Sequence, residues 1–156
     1  MRHAKSSWSD KDLADHDRPL NERGRSDAPR MGELLNREDL IPETILCSSA
    51  KRAKSTAKLL IENIPFEGEI TYLRDFYHGG PEDFIETLNE LSDEIDIAMI
   101  VGHNPDLEYF LDFLADASER MPTGAIASVE LPIDAWDELD EDTEGNLLEI
   151  WRPKEL

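Results

Sequence analysis

The run Ile97-Ala98-Met99-Ile100-Val101 constrains this chain more than any other stretch. Continuous apolarity without alternation is the pattern of a parallel strand covered by helices on both faces. The run ends at Gly102-His103, where Asn104-Pro105 supplies a helix cap and a first-turn proline. Leu107, Phe110, Leu111 and Leu114 then recur at helical spacing. A strand running straight into a helix is half of a βαβ unit, so the rest of the chain should supply more such units.

It does. Asn21 caps a helix whose apolar face is Met31, Leu34 and Leu35, and Pro42 breaks the chain ahead of a short buried strand, Thr44-Ile45-Leu46-Cys47. Ala53, Ala57, Leu60, Ile61 and Ile64 mark the next helix, which Pro65 stops. Ile70 to Leu73 reads as a strand, Asp75 to Pro81 as a loop, and Phe84, Ile85, Leu88 and Leu91 as one face of a further helix. After Thr123-Gly124 the pattern changes to alternation, with Ala125, Ala127, Val129 and Leu131 on one side of a strand. Leu147 to Trp151 completes the set as a last strand antiparallel to that one. The alternation of strand and helix predicts a three-layer α/β/α sandwich, its central sheet mostly parallel with an antiparallel edge strand. No repeat or flexible linker divides residues 1–156, so they form one domain. Only Met1 precedes Arg2-His3, so either the first strand is cut short or the true chain begins upstream.

Charge narrows the range of partners. Acids outnumber Lys and Arg by 36 to 16, for a net charge of -20. That excess excludes a nucleic-acid or anionic-membrane surface, which needs basic patches. No apolar run approaches a membrane span and no secretory leader precedes the motif. A single cysteine, Cys47, rules out an internal disulfide framework, fits a cytoplasmic protein, and reads as a small core residue. Against the acidic background, Arg2, Lys5, Arg18, Arg23, Arg25, Lys51, Arg52 and Lys54 stand out, all in the segments around the N-terminal strands.

Three segments carry chemistry: Arg2-His3-Ala4-Lys5-Ser6-Ser7-Trp8, Ser48-Ser49-Ala50-Lys51-Arg52-Ala53 and Gly102-His103-Asn104-Pro105. An Arg-His pair alone means little. In an open α/β sheet, however, all three segments fall at the carboxyl ends of strands, where ligands bind. Arg2 and Arg52 offer planar donor forks that match phosphate oxygens. A neutral imidazole among cations is a competent nucleophile, and neighbouring positive charge disfavours its protonation. The expected site is therefore Arg2, His3, Arg52 and His103 around one anion. His3 attacks phosphorus and becomes phosphohistidine, the other three hold the oxygens, and water releases phosphate. No metal or cofactor is required.

These segments, with Arg18-Pro19-Leu20-Asn21-Glu22-Arg23-Gly24 and Pro122-Thr123-Gly124-Ala125, resemble the histidine phosphatase superfamily, and more narrowly its short SixA-type branch of phosphohistidine phosphatases. The resemblance runs from Arg2 to about Pro153. It implies a phosphoglycerate-mutase-like fold, a phosphorylated His3, a pocket of Arg2, Arg52 and His103, and a phosphate contact from Arg18; Asn104 belongs to the same substrate-binding set. Two departures stand out. The apolar strand that the family has before Arg-His is nearly absent. The family's larger members carry a Glu as general acid, for which Asp75, ahead of Gly79-Gly80, is the nearest match. Losing such a proton donor costs about 10²–10⁴-fold on an alkoxide leaving group. A phosphorylated imidazole leaves more readily, which tilts the expected substrate towards protein phosphohistidine.

The implied partner is a phosphorylated signalling protein, such as a histidine-containing phosphotransfer domain. The alternatives are a phosphatase for small phosphate esters or sugar phosphates, and a non-catalytic phosphate- or phosphoprotein-binding module. The last would follow if the short first strand left His3 too mobile to attack. Among the remaining residues, His16 and His78 read as loop histidines and Trp8 as a packing residue near the pocket mouth. The acidic run Asp134 to Glu144 reads as a solvated loop.

Overall fold

Three parallel strands form the centre: β1 (Thr44–Ser48), β2 (Glu69–Leu73) and β3 (Ala98–Val101), in the order β2-β1-β3. The computed structural model describes residues 1–156. Helices α1 (Glu22–Arg37), α2 (Lys51–Ile61), α3 (Pro81–Asn89) and α4 (Asp106–Ala115) cover this sheet, and β4 (Ile126–Glu130) pairs antiparallel with β5 (Asn146–Trp151).

The period-2 alternation of β1 divides the core in two. Ile45 and Cys47 join Met31, Leu34, Leu35, Ala53, Ala57 and Leu60 under α1 and α2. Leu46, on the opposite face, joins Phe84, Leu88, Phe110 and Leu111 under α3 and α4. Helices on both faces explain why β1 is buried along its whole length, and why its sequence is apolar without alternation. Each fully buried Leu, Ile or Phe contributes about 1.5–3 kcal/mol relative to exposure. Gly32 lets α1 and α2 cross closely: a Cβ there would lie 1.9 Å from the Leu60 carbonyl oxygen. Cys47 is buried with them, and burial pushes its thiol up to about 12, leaving no thiolate for chemistry.

The short N-terminal strand is held more firmly than its length suggests. Met1 and His3 bracket Gly102 at the end of β3: Gly102 N–H donates to Met1 O (3.1 Å) and His3 N–H to Gly102 O (3.0 Å). On the other side Arg2 N–H donates to Ala125 O (2.9 Å) and Gly124 N–H to Arg2 O (3.2 Å). Residues 1–3 thus stitch the three-stranded sheet to the β4-β5 pair. This refines the expected architecture: the antiparallel element is a separate two-stranded sheet joined at one end, not an edge strand of one continuous ladder. Away from that seam an apolar cavity of about 440 Å³ opens between β3 and β4, lined by Met1, Ala98, Ile100, Ile126 and Trp151 among others.

Two local expectations are corrected. Asn104 does not cap α4: the residue ahead of the helix is Pro105, after a cis peptide bond, and the Asn104 amide donates instead to Glu108 Oε1 (2.8 Å) and Met121 O (2.9 Å). The acidic stretch 134–144 is not wholly solvated. It contains a short 3₁₀ turn at Trp136–Glu138, the Trp136 indole donates to Ile95 O (2.7 Å), and Leu139 is buried. Its apolar residues outweigh the acids around them because they can reach the α3-α4 core.

Candidate active site

At the carboxyl end of the parallel sheet, His3, the β1 terminus at Ser48, the first turn of α2 at Arg52, and His103 after β3 converge. All four are buried, each with no more than 6% of its surface exposed. His3 Nδ1 lies 2.7 Å from the Ala4 carbonyl oxygen. A carbonyl only accepts, so Nδ1 carries the proton and Nε2 keeps its lone pair. Arg52 Nε, 3.3 Å away, donates to that Nε2. The neighbouring backbone is fixed as well: Ala4 N–H donates to Thr56 Oγ1 (2.9 Å), which itself donates to Arg52 O (2.7 Å). His3 is therefore not a residue on a frayed strand.

Electrostatics keep both imidazoles neutral. Burial lowers the His3 pKa to about 4; the Ala4 hydrogen bond opposes this, while Arg52, Arg2 and Arg18 add to it. Burial likewise takes His103 down to about 3, helped by His3, Arg52 and His78 and opposed by Asp15. The two rings stand 5.1 Å apart. Two buried donor atoms here have no partner within the protein, Arg2 Nε and His103 Nδ1, and the adjacent Asn104 Oδ1 is a buried acceptor without one. Unpaired buried donors are costly, which makes these two natural contacts for a ligand oxygen. Arg2 is itself steadied by a bond from one terminal nitrogen to Met121 O (3.0 Å).

The pocket holds residues that sequence reasoning did not assign. Asp15 O accepts from Arg52 (2.7 Å), and its Oδ2 accepts from Arg52 (3.0 Å) and from the Tyr77 hydroxyl (2.6 Å). Its Oδ1 accepts from Arg18 (3.0 Å). These partners, the Tyr77 hydroxyl first and then the two guanidinium groups, hold the Asp15 carboxyl well below the usual carboxylate range despite partial desolvation. Asp15 is one of 36 acids, in a polar loop, and nothing in the sequence marks it out. Ser48 lay inside a motif already singled out, but only the structure gives it a partner, His103 Nε2 at 2.7 Å.

The structure does not bring every expected residue to the anion site. Arg18 is buried, but its donors go to Ser7 O (3.1 Å), Ser6 Oγ (2.7 Å) and Asp15, with its guanidinium 3.1 Å above the exposed Trp8 ring. It braces the loop that carries Asp15. Asn104 has its amide turned to Glu108 and Met121, and it steadies the backbone oxygen that also receives Arg2. Asp75 is exposed and forms neither a hydrogen bond nor an ion pair. It is Tyr77, two residues on, that reaches the pocket, with its ring 5.5 Å from His103. His16 pairs with Ser49 Oγ (2.9 Å) at the rim.

The buried imidazoles of His3 and His103 thus lie together with Arg52 and Arg2, and comparison with known families gives the class of protein. The profile of the histidine phosphatase superfamily (branch 1) matches residues 1–103, and the chain belongs to that superfamily. An uncharacterized protein of Mycobacterium tuberculosis is 33% identical over 138 residues, covering 81% of this chain and 84% of its own length. An uncharacterized chloroplastic protein of Arabidopsis thaliana is 30% identical over 147 residues, 88% of this chain and 67% of that one. Among solved structures, the protein histidine phosphatase SixA in complex with tungstate superposes with a TM-score of 0.84 at 23% identity, over 99% of this chain and 96% of that one. That likeness establishes the phosphoglycerate-mutase-like α/β fold. No helix is long and apolar enough to cross a membrane.

Proposed function

We propose that this chain is a phosphatase that hydrolyses protein phosphohistidine through a covalent phosphohistidine on His3. The observation that carries the reading is the His3 Nδ1 bond to Ala4 O (2.7 Å), which leaves the Nε2 lone pair facing the guanidinium of Arg52. In the first step Nε2 attacks phosphorus in line. The P–N bond to the substrate imidazole breaks as the bond to His3 forms, and the leaving imidazole takes a proton from solvent. Arg2, Arg52 and His103 Nδ1 hold the three equatorial oxygens, where such transfers are stabilised by position and charge. Water then attacks the phosphoryl group and returns His3 with its lone pair. The short strand supports the reading too, since two sets of backbone bonds hold His3 in place to attack.

The choice of substrate rests on the leaving group. The carboxylate at the pocket, Asp15, is held ionised by Tyr77, Arg18 and Arg52 and has no proton to give. An ester leaving as alkoxide would lack an acid worth about 10²–10⁴-fold, whereas an imidazole needs far less help. A phosphorylated signalling protein, such as a histidine-containing phosphotransfer domain, is then the natural partner. The test is a phosphoenzyme trap: wild type and His3→Ala incubated with a labelled phosphohistidine protein, quenched in alkali, and examined by mass spectrometry. Acid-labile phosphorylation of His3 in wild type alone is the expected result. Phosphate binding with neither modification nor release would leave a binding module instead.

A further inference from the structure

We infer that Ser48 is a positioning residue that fixes the proton of His103 on Nδ1, so that this imidazole presents a hydrogen-bond donor to the bound anion. The structural part stands alone; its catalytic consequence rests on the phosphatase reading above.

Ser48 is the last residue of β1 and is fully buried. A hydroxyl has one proton to give and lone pairs to receive. The Ala50 N–H already donates to Ser48 Oγ (3.3 Å). The remaining neighbour in hydrogen-bond reach is His103 Nε2, 2.7 Å away, and it is the one acceptor that the hydroxyl proton can use. If Nε2 carried the proton instead, it and Ala50 N–H would both donate to Ser48. The hydroxyl proton would then be stranded in the interior, an arrangement that folded proteins avoid. With Ser48 donating, Nε2 is the acceptor and Nδ1 holds the ring proton. Nδ1 is the buried atom with no partner in the protein, in a ring 5.1 Å from that of the nucleophile. The opposite tautomer would turn a lone pair towards phosphoryl oxygens and repel them. Since burial keeps His103 neutral, with its pKa near 3, the ring has one N–H to place, and the tautomer decides whether it helps. The edge of Tyr77 packs at 80° to the ring and limits its rotation.

The experiment compares wild type, Ser48→Ala and Ser48→Thr. Ring ¹⁵N NMR on histidine-labelled, substrate-free protein reads the His103 tautomer, and steady-state kinetics with a phosphohistidine peptide reads turnover. Wild type should show Nδ1–H. Ser48→Ala, which deletes one buried oxygen, should show a shift towards Nε2–H with kcat lowered by roughly tenfold or more and KM little changed. The loss stays below the ~10²–10³-fold that follows complete removal of an oxyanion donor. Ser48→Thr, which keeps the hydroxyl, should recover both readings. An Nε2–H tautomer in wild type overturns the inference, as does a Ser48→Ala protein with unchanged tautomer or unchanged kcat. If wild type proves not to turn over the peptide, the proposed function fails, while the tautomer measurement still decides the assignment to Ser48.

Discussion

Acidification should destabilise this protein through two particular imidazoles. His3 and His103 are neutral when folded, with pKa values near 4 and 3, against 6.5 for an unhindered histidine. Because the folded values lie below the unfolded one, the unfolded chain takes up protons first. Stability is full above pH 6.5 and falls as the pH drops from there towards the folded values. At pH 5 an unfolded imidazole is about 97% protonated, while either folded ring is nearly uncharged. Integrating the difference from pH 7 to pH 5 gives about 2 kcal/mol per residue, about 4 kcal/mol together. The figure depends little on the exact folded values, since at pH 5 both lie well below the pH. Neither ring is exposed enough for solvent to screen the effect. Urea unfolding at pH 7 and pH 5 measures it; with a slope of about 2 kcal/mol/M, the midpoint of wild type should move by roughly 2 M from these residues. The acidic surface also titrates in this range, so the comparison must be with variants. His103→Gln should remove about half of the share due to these two rings, and His3→Gln/His103→Gln nearly all of that share, while the buried Met1 amino group, lowered to about 5, keeps a pH dependence of its own. A double variant that loses stability as steeply as wild type would refute the picture of two imidazoles buried without charge.

Two further outcomes follow from the geometry. Gly32→Ala should lower Tm by roughly 3–8 °C: overpacking against the Leu60 carbonyl costs about 1–3 kcal/mol, which a better helix propensity offsets only in part. An unchanged or raised Tm in a calorimetric scan would mean that α1 and α2 separate freely. Asp75→Asn should leave turnover of phosphohistidine and of a phenyl phosphate within about twofold of wild type, because the side chain is exposed and makes no hydrogen bond or ion pair. A selective fall of the ester rate by about 10²-fold or more would make Asp75 the general acid after all.

The elements of the fold were legible because they depend on short-range pattern. The run 97–101, the helical stripes at Met31-Leu34-Leu35 and Phe110-Leu111-Leu114, and the alternation after Gly124 each state their own periodicity. The quartet of Arg2, His3, Arg52 and His103 was legible for a related reason. Arg52 and His103 follow strands, the Arg2-His3 pair lies beside the end of β3, and open α/β sheets gather strand ends at one edge. What the pattern could not supply was anything set by contact between distant segments. The Asn104 amide looked like a cap because a cap lies nearby in sequence, yet it bonds to Met121, 17 residues away. The weakness of the first strand was inferred from its length, but its strength comes from Gly102 and Ala125, which flank it only in the folded chain.

From the sequence alone, then, came the class of fold and the set of residues, Arg2, His3, Arg52 and His103, from which a site is proposed, since residue type and chain position suffice for those. The tertiary structure decided how each group is poised. Asp15, 37 residues from Arg52, takes up two of its donors and stays ionised. Ser48, 55 residues from His103, sets which nitrogen bears its proton. Ala4 O does the same for His3. Protonation and tautomer depend on burial and on which partner lies within about 3 Å, and those are properties of the packed chain.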